Sequence, residues 1–294
     1  GRVEMCLWAV CSIGVLCASR SALYGKKRFD TSFGTIHPVP KANTLEKTQL
    51  SLLNLGNGAL LALQSLMRAM ANKPDIVTED CSARAALIGN PSDGFGGATL
   101  ALLIKNFKAT VTIQANADER SGRVAMIPHP VWDNYGYDSL EDLHNHTVVS
   151  GYYGGLRLIH ASCRVFWELC EKECKWGEGG VAKRGFRISY DTNIPRGVGL
   201  SGSSAIVTAA FRALLKFHGL QLADLGLSLN TLPEVILGCE VRELNISAGL
   251  QDRVVQTFGG LVFMDFHKDH FERDNHGVYE SLDLEMLPTL YLAY

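Results

Sequence analysis

The stretch Asp191-Thr-Asn-Ile-Pro195-Arg-Gly197-Val-Gly199-Leu-Ser201-Gly202-Ser203-Ser204-Ala205 decides how the chain is read. Ahead of it, Phe186-Arg-Ile188-Ser-Tyr190 alternates apolar and polar residues as a half-buried strand does. Behind it, Ile206, Val207, Ala210, Phe211, Leu214 and Leu215 recur at helical spacing. A strand ends, a glycine loop turns and a helix begins. Glycines let backbone N–H groups crowd around an anion, and the helix N-terminus adds the positive end of its dipole, so phosphate is the natural guest.

Other loops share this shape. Gly197-Val-Gly199-Leu-Ser-Gly202 fits the dinucleotide-binding fingerprint, but that unit returns to a second buried strand ending in an acidic residue about 20 residues on. Here His218-Gly219-Leu-Gln-Leu-Ala-Asp224 follows, poor in β-branched residues. The Walker A pattern needs a Lys-Ser or Lys-Thr after its glycines, and a protein kinase needs His-Arg-Asp and Asp-Phe-Gly; neither set is present. The remaining alternative is a tight turn whose serines cap a helix, although Ser201, Ser203 and Ser204 exceed what one cap uses.

At 294 residues, 47% hydrophobic and 20% charged, the chain can bury a sizeable core. A net charge of −2 gives no overall attraction for nucleic acid or an anionic membrane. Eight cysteines scattered through a chain of this size suit a reduced, cytoplasmic protein better than a disulfide scaffold.

Residues 5–18 are apolar but shorter than the roughly 20 residues that cross a bilayer, and they resemble a signal-peptide core whose positive flank Glu4 dilutes. Residues 24–40 read as a linker, and residues 45–70 as a leucine-rich helix broken at Gly56-Asn-Gly58. Residues 83–88 predict a short buried strand, followed by the turn-rich loop Gly89-Asn-Pro-Ser-Asp93-Gly-Phe-Gly-Gly97. Residues 100–104 and 109–113 predict a strand pair. His129, Trp132, Tyr135 and Tyr137 fall in a loop that either flanks a ligand or packs.

After Gly151-Tyr152-Tyr153-Gly-Gly155, residues 156–172 predict a helix with its apolar stripe at Leu158, Ile159, Val165, Phe166 and Leu169. His160, Cys163, Cys170 and Cys174 tempt a zinc reading, but one straight helix cannot wrap four ligands around a metal, and a buried thiol-rich face is the better account. Thr231-Leu-Pro-Glu234 reads as a capping box before a helix running to about Leu244 and carrying Glu240 and Glu243. A strand is expected over residues 261–266, then a polar loop with His267, His270 and His276.

Residues Pro195 to Ala205 resemble the second signature of the GHMP kinases, and five segments in order narrow the resemblance to the plant-type glucuronokinases. These are Gly89-Asn-Pro-Ser-Asp93, Gly151-Tyr-Tyr-Gly-Gly-Leu-Arg157, Ser189-Tyr-Asp-Thr-Asn-Ile-Pro-Arg196, Gly199-Leu-Ser-Gly-Ser-Ser-Ala-Ile-Val207 and Ala248-Gly-Leu-Gln-Asp-Arg253. The resemblance implies an α+β fold: a GHMP kinase N-terminal domain like ribosomal protein S5 domain 2 over residues 79–294, with residues 1–78 an unmatched extension. On the same resemblance the ferredoxin-like C-terminal domain and its third glycine-rich signature are expected to be largely missing, so the chain as it stands is expected to be inactive and to expose an apolar docking face.

The resemblance further implies ATP and Mg2+ as cofactors and D-glucuronate as the substrate, phosphorylated at its anomeric hydroxyl. Pro195, Gly197, Gly199, Leu200, Ser201, Gly202, Ser203, Ser204 and Ala205 would hold ATP, Ser204 and Glu240 the metal, and Asp252 would be the catalytic base. Asn90, Asp93, Tyr152, Tyr153 and Arg157 would line the sugar, Arg157 by gripping its carboxylate. Asn90 reads equally as an Asx-turn residue and Arg157 as a surface ion-pair partner, whereas an Asx turn for Asp93 and a helix N-cap for Asp252 are the lesser alternatives. Another GHMP sugar kinase, of galactokinase or arabinokinase type, and a non-catalytic nucleotide- or sugar-binding descendant stand as alternatives. A cytoplasmic monomer without nucleic-acid partners or a membrane span is expected.

Overall fold

The computed structural model describes residues 73–117, 122–133, 136–150, 154–174 and 184–293, which belong to one compact unit. The apolar segment, linker and leucine-rich helix expected before residue 73 lie outside the described residues, as do Tyr135, Tyr152 and Tyr153.

The described residues form a six-stranded sheet organised by one long strand. Strand β1 (Ile76–Ile88) pairs antiparallel along β2 (Ala98–Ala115), from Ile76 opposite Gln114 to Ile88 opposite Leu100. The other edge of β2 is shared. Its C-terminal half pairs antiparallel with β4 (Phe186–Thr192), and its N-terminal half with β5 (Leu261–Asp265). Short β3 (Val124–Met126) lies parallel to β4, and β6 (Val278–Leu282) antiparallel to β5.

The pair of strands expected over residues 100–104 and 109–113 is therefore one strand, and β1 is its partner. Lys105-Asn-Phe-Lys108, which separates the two expected strands, is a bulge: register jumps from Ser82 opposite Lys108 to Ala83 opposite Ile104. Asn193 closes the gap on the far edge. Its Oδ1 accepts from Lys108 N at 2.7 Å and its Nδ2 donates to Asn106 O at 3.3 Å. The first eight residues of β1, through Ala83, carry the alternation of a half-buried strand, with Val77, Cys81 and Ala83 inward.

Helices α1 (Leu140–Ser150) and α2 (Leu156–Glu173) precede β4, and α3 (Gly202–His218) follows the glycine loop. Then come α4 (Leu232–Leu244), α5 (Gln251–Phe258) and the short α6 (Lys268–Asp274). Helix α3 is buried nearly all round and packs on β1 and β2 as well as on α2, α4 and α5. Small residues permit this approach: Ala205, Ala209 and Ala213 on the helix, and Ala83 and Ala109 on the strands, are fully buried. Phe211 fills the space towards α2, where it meets Phe166 edge to face at 5.7 Å. A second, smaller core gathers Val254, Val255, Val262 and Met264 between α5 and β5.

Helix α4 has Thr231 at its N-cap, but the capping box expected there is absent, because Thr231 Oγ1 accepts from Ser228 N at 2.9 Å instead. The polar loop expected after β5 holds helix α6, capped by His267 Nδ1 accepting from Asp269 N at 3.4 Å. None of the described helices is long and apolar enough to cross a membrane.

Candidate functional site

A cavity of about 360 Å³ opens where the loop after β4, the start of α2, strand β1 and the start of α5 converge. Its volume falls in the range of small-molecule sites. Gly197, Gly199, Ser201, Gly202 and Ser203 line one side, Gly154, Gly155 and Arg157 another, and Arg84 and Asp252 a third.

The loop's backbone explains its composition. Gly197 and Gly199 have φ of 72° and 76°, a left-handed conformation that glycine enters without cost, and a Cβ at either would face open space. Ser201 is also left-handed, at φ 60° and ψ 45°, as the N-cap of α3. Its side chain makes no cap hydrogen bond, so the first turn of a 17-residue helix opens towards the cavity without a side-chain cap. The capping account of the serines is not what the fold uses. Ser204 is fully buried and its Oγ donates back to Ser201 O at 3.1 Å.

Asp252 sits in the first turn of α5 rather than capping it. Its Oδ1 receives Arg84 through Nε at 2.5 Å and through Nη2, and its Oδ2 receives Arg253 Nη1 at 3.2 Å. Arg84 then reaches the glycine loop: Nη1 donates to Gly199 O at 3.2 Å and its backbone N to Leu200 O at 3.3 Å. One arginine thus joins the expected phosphate loop to the expected base. The sequence pattern does not single out Arg84 as a site residue; the signal it offers is a lone charge inside the apolar run Ala83-Arg-Ala-Ala-Leu-Ile88.

Glu240 is fully buried on α4 and does not line the cavity. Its Oε2 pairs with Arg253 Nη2, which is itself only 2% exposed, while its Oε1 has no hydrogen-bond partner. A carboxylate oxygen left over in this way, close behind the loop helix, is a donor that a hard divalent cation accepts. Among the described residues no cluster of three or more His, Cys, Asp or Glu side chains stands ready to hold a metal.

Asn90 and Asp93 are not brought to the cavity wall. Asp93 Oδ2 accepts from Gln251 N at 3.1 Å and Asn90 Oδ1 from Gln251 Nε2 at 3.3 Å, so both brace the start of the helix that carries Asp252. Neither acts as a local Asx turn through these bonds. Gly249 is required beside them, since a Cβ there would overlap the Asp93 carboxylate.

Arg157 lines the cavity together with Arg196 and Trp132, whose ring lies 5.1 Å from the Arg196 guanidinium carbon. Three guanidiniums and one carboxylate leave the wall positive, which suits an anionic ligand. Beneath this wall, buried Asp133 accepts from Leu156 N at 3.1 Å and from His129 N at 2.8 Å, anchoring the start of α2. Tyr190 OH accepts from Gly155 N at 2.9 Å. Burial, and then the hydrogen bond to Asp133, push the Tyr190 hydroxyl well above its usual range. His129 Nδ1 accepts from Val131 N and Trp132 N, both at 3.1 Å, so Nε2 carries the proton towards Asp191 Oδ1 at 3.2 Å.

The model of the GHMP kinases N terminal domain matches residues 161–260, which run from α2 through the glycine loop and Asp252 to the threshold of β5. Glucuronokinase 1 of Arabidopsis thaliana is 44% identical over 212 residues, covering 72% of this chain and 55% of that protein. Probable glucuronokinase 2 of the same plant is 42% identical over 230 residues, covering 77% and 59%. The chain thus spans somewhat more than half the length of these relatives. A crystal structure of a D-glycero-D-manno-heptose 1-phosphate kinase from Bacteriodes thetaiotaomicron superposes with a TM-score of 0.48 at 19% identity, covering 71% of this chain and 60% of that one. By the matched domain and by the two plant relatives, this chain carries the N-terminal domain of the GHMP kinases.

Proposed function

We propose that the protein, in its full-length form, is an ATP-dependent sugar 1-kinase that converts D-glucuronate and ATP to D-glucuronate 1-phosphate and ADP. The observation that carries this reading is that Asp252 and the glycine loop open on one cavity and are joined there by Arg84. The sugar is taken from the names of the two plant relatives.

Phosphoryl transfer asks a protein for little covalent chemistry: the phosphates are held, charge is offset and a nucleophile is aligned. Residues 195–205 hold the phosphates through backbone N–H groups and the α3 dipole. Arg157, aided by Arg196, grips the uronate carboxylate. The anomeric oxygen attacks the γ-phosphorus, the bond to the β-phosphate oxygen breaks, and the hydroxyl proton passes to the Asp252 carboxylate. Arg84 and Arg253 fix that carboxylate in position and offset negative charge beside it. Ser204 and the free oxygen of Glu240 would hold Mg2+, whose chemistry is to neutralise the phosphate oxygens. Asn90 and Asp93 act through Gln251, by setting the start of α5. Residues 79–294 constitute the catalytic N-terminal domain in this reading, and the enzyme works as a cytoplasmic monomer.

The test is ADP release by the full-length protein with Mg-ATP and a panel of glucuronate, galactose and arabinose. Glucuronate is expected to be turned over fastest, with the product's phosphate on C1 by 31P NMR. A preference for galactose would overturn the specificity, and Mg-ATP binding without turnover of any acceptor would favour a non-catalytic binding protein.

A further inference from the structure

Ser201 is a non-glycine residue in the left-handed region at the apex of the glycine loop, where an L side chain normally carries a conformational cost. Such a conformation persists only when its surroundings over-determine it. The surroundings here converge on the Ser201 carbonyl, which accepts from Gln256 Nε2 at 3.1 Å, from Ser204 Oγ at 3.1 Å and from Ala205 N at 3.2 Å. Two of these donors belong to the helix that the loop opens. The third, Gln256, comes from α5, 55 residues further along the chain.

Gln256 is 1% exposed, and its amide makes a second bond, to Ser82 O at 3.2 Å. One side-chain nitrogen thereby ties three pieces together: the loop at Ser201, strand β1 two residues before Arg84, and α5 one turn beyond Asp252. Both protons of a single NH2 group are used on carbonyls, an arrangement that neither a carboxylate nor a thioether can supply.

We propose that Gln256 is a positioning residue for the phosphate loop: it latches the left-handed turn at Ser201 to the elements bearing Arg84 and Asp252, and so sets the loop's affinity for the nucleotide. This rests on the kinase reading given above. Gln256 touches neither nucleotide nor acceptor, because it lies behind the loop and outside the cavity lining.

Two variants of the full-length protein test it. Gln256→Met keeps the volume and removes both donors, and Gln256→Glu keeps the shape while turning an acceptor towards two carbonyls. Mg-ADP affinity by titration calorimetry is expected to fall about tenfold for Gln256→Met and further for Gln256→Glu. The KM for ATP should rise in parallel, while the KM for the sugar stays within twofold of the parent value. A general loss of fold would lower the active fraction and leave both KM values unchanged, so the split between the two substrates separates a latch from mere support. Mg-ADP affinity within twofold of the parent protein in both variants would overturn the latch while leaving the kinase reading intact. Failure of the parent protein itself to bind Mg-ADP would overturn the kinase reading and the latch with it.

Discussion

Asp252 is held by two guanidiniums of different kinds. Arg84 is on the cavity wall and Arg253 is buried, and only Arg253 is shared with Glu240. Replacing Asp252 by Asn keeps the shape and removes the proton acceptor. The expected result is a fall in kcat of about 10²–10⁴-fold with nucleotide binding retained, measured by steady-state kinetics alongside Mg-ADP titration. The Glu240 to Arg253 pair also has a stability role, which unfolding reads independently of activity. Arg253→Met alone leaves a buried carboxylate without its cation and is expected to cost about 3–5 kcal/mol in urea unfolding. Adding Glu240→Gln should recover most of that loss, and a double variant no more stable than the single one would show that the pair is not the source of the cost. A third residue, Gly155, sets how closely α2 approaches β4. A Cβ there would come within 2.5 Å of the buried Tyr190 ring, so Gly155→Ala is expected to destabilise the fold by about 1–3 kcal/mol by overpacking, also read from urea unfolding.

The elements around the cavity were legible to different degrees, and each difference has a physical cause. The strand before the loop and the helix after it follow from period-two and helical spacing, and β4 and α3 fall where those patterns put them. The strand β2 did not, because Lys105, Asn106 and Lys108, which are polar and exposed, belong to a bulge patched by Asn193, which is distant in sequence. Helix α6 was hidden because a seven-residue, polar helix has no apolar stripe to read, only its cap at His267. The glycine loop itself gives a prediction at this scale. Gly197→Ala and Gly199→Ala place a side chain in open space but on a left-handed backbone, so each is expected to shift the loop at a cost of about 1 kcal/mol. Nucleotide affinity should then drop by about fivefold with little change in melting temperature, measured by calorimetry and thermal unfolding.

Across the whole molecule, the described thiols belong to the packing. Burial pushes Cys81, Cys170 and Cys239 each up to about 12, and all three lie in the main core. A thiol whose pKa is raised by folding retains its proton in the native state at a pH where the unfolded chain has lost it. Above about pH 9 the unfolded chain therefore binds fewer protons, and stability falls as pH rises towards 12. The melting temperature is expected to fall steadily above pH 9. Peptide mapping after iodoacetamide treatment at pH 8 should show these three cysteines modified only when the protein is unfolded; rapid labelling of Cys81 in the native protein would contradict the burial.

What the sequence determined by itself is what short-range chemistry encodes: the glycine loop with its flanking strand and helix, and Asp252 at the start of a further helix. Those patterns act over one turn or one strand, and they survive without knowledge of the fold. Long-range pairing decided the rest. Only the sheet brings Arg84, 168 residues from Asp252, onto the same carboxylate. The same pairing sends Asn90 and Asp93 to the start of α5 instead of the cavity and turns Glu240 towards Arg253. A side chain's partner is chosen by which backbones the core forces together, and that choice lies in the packing of α3 against β1 and β2, where no local pattern can express it.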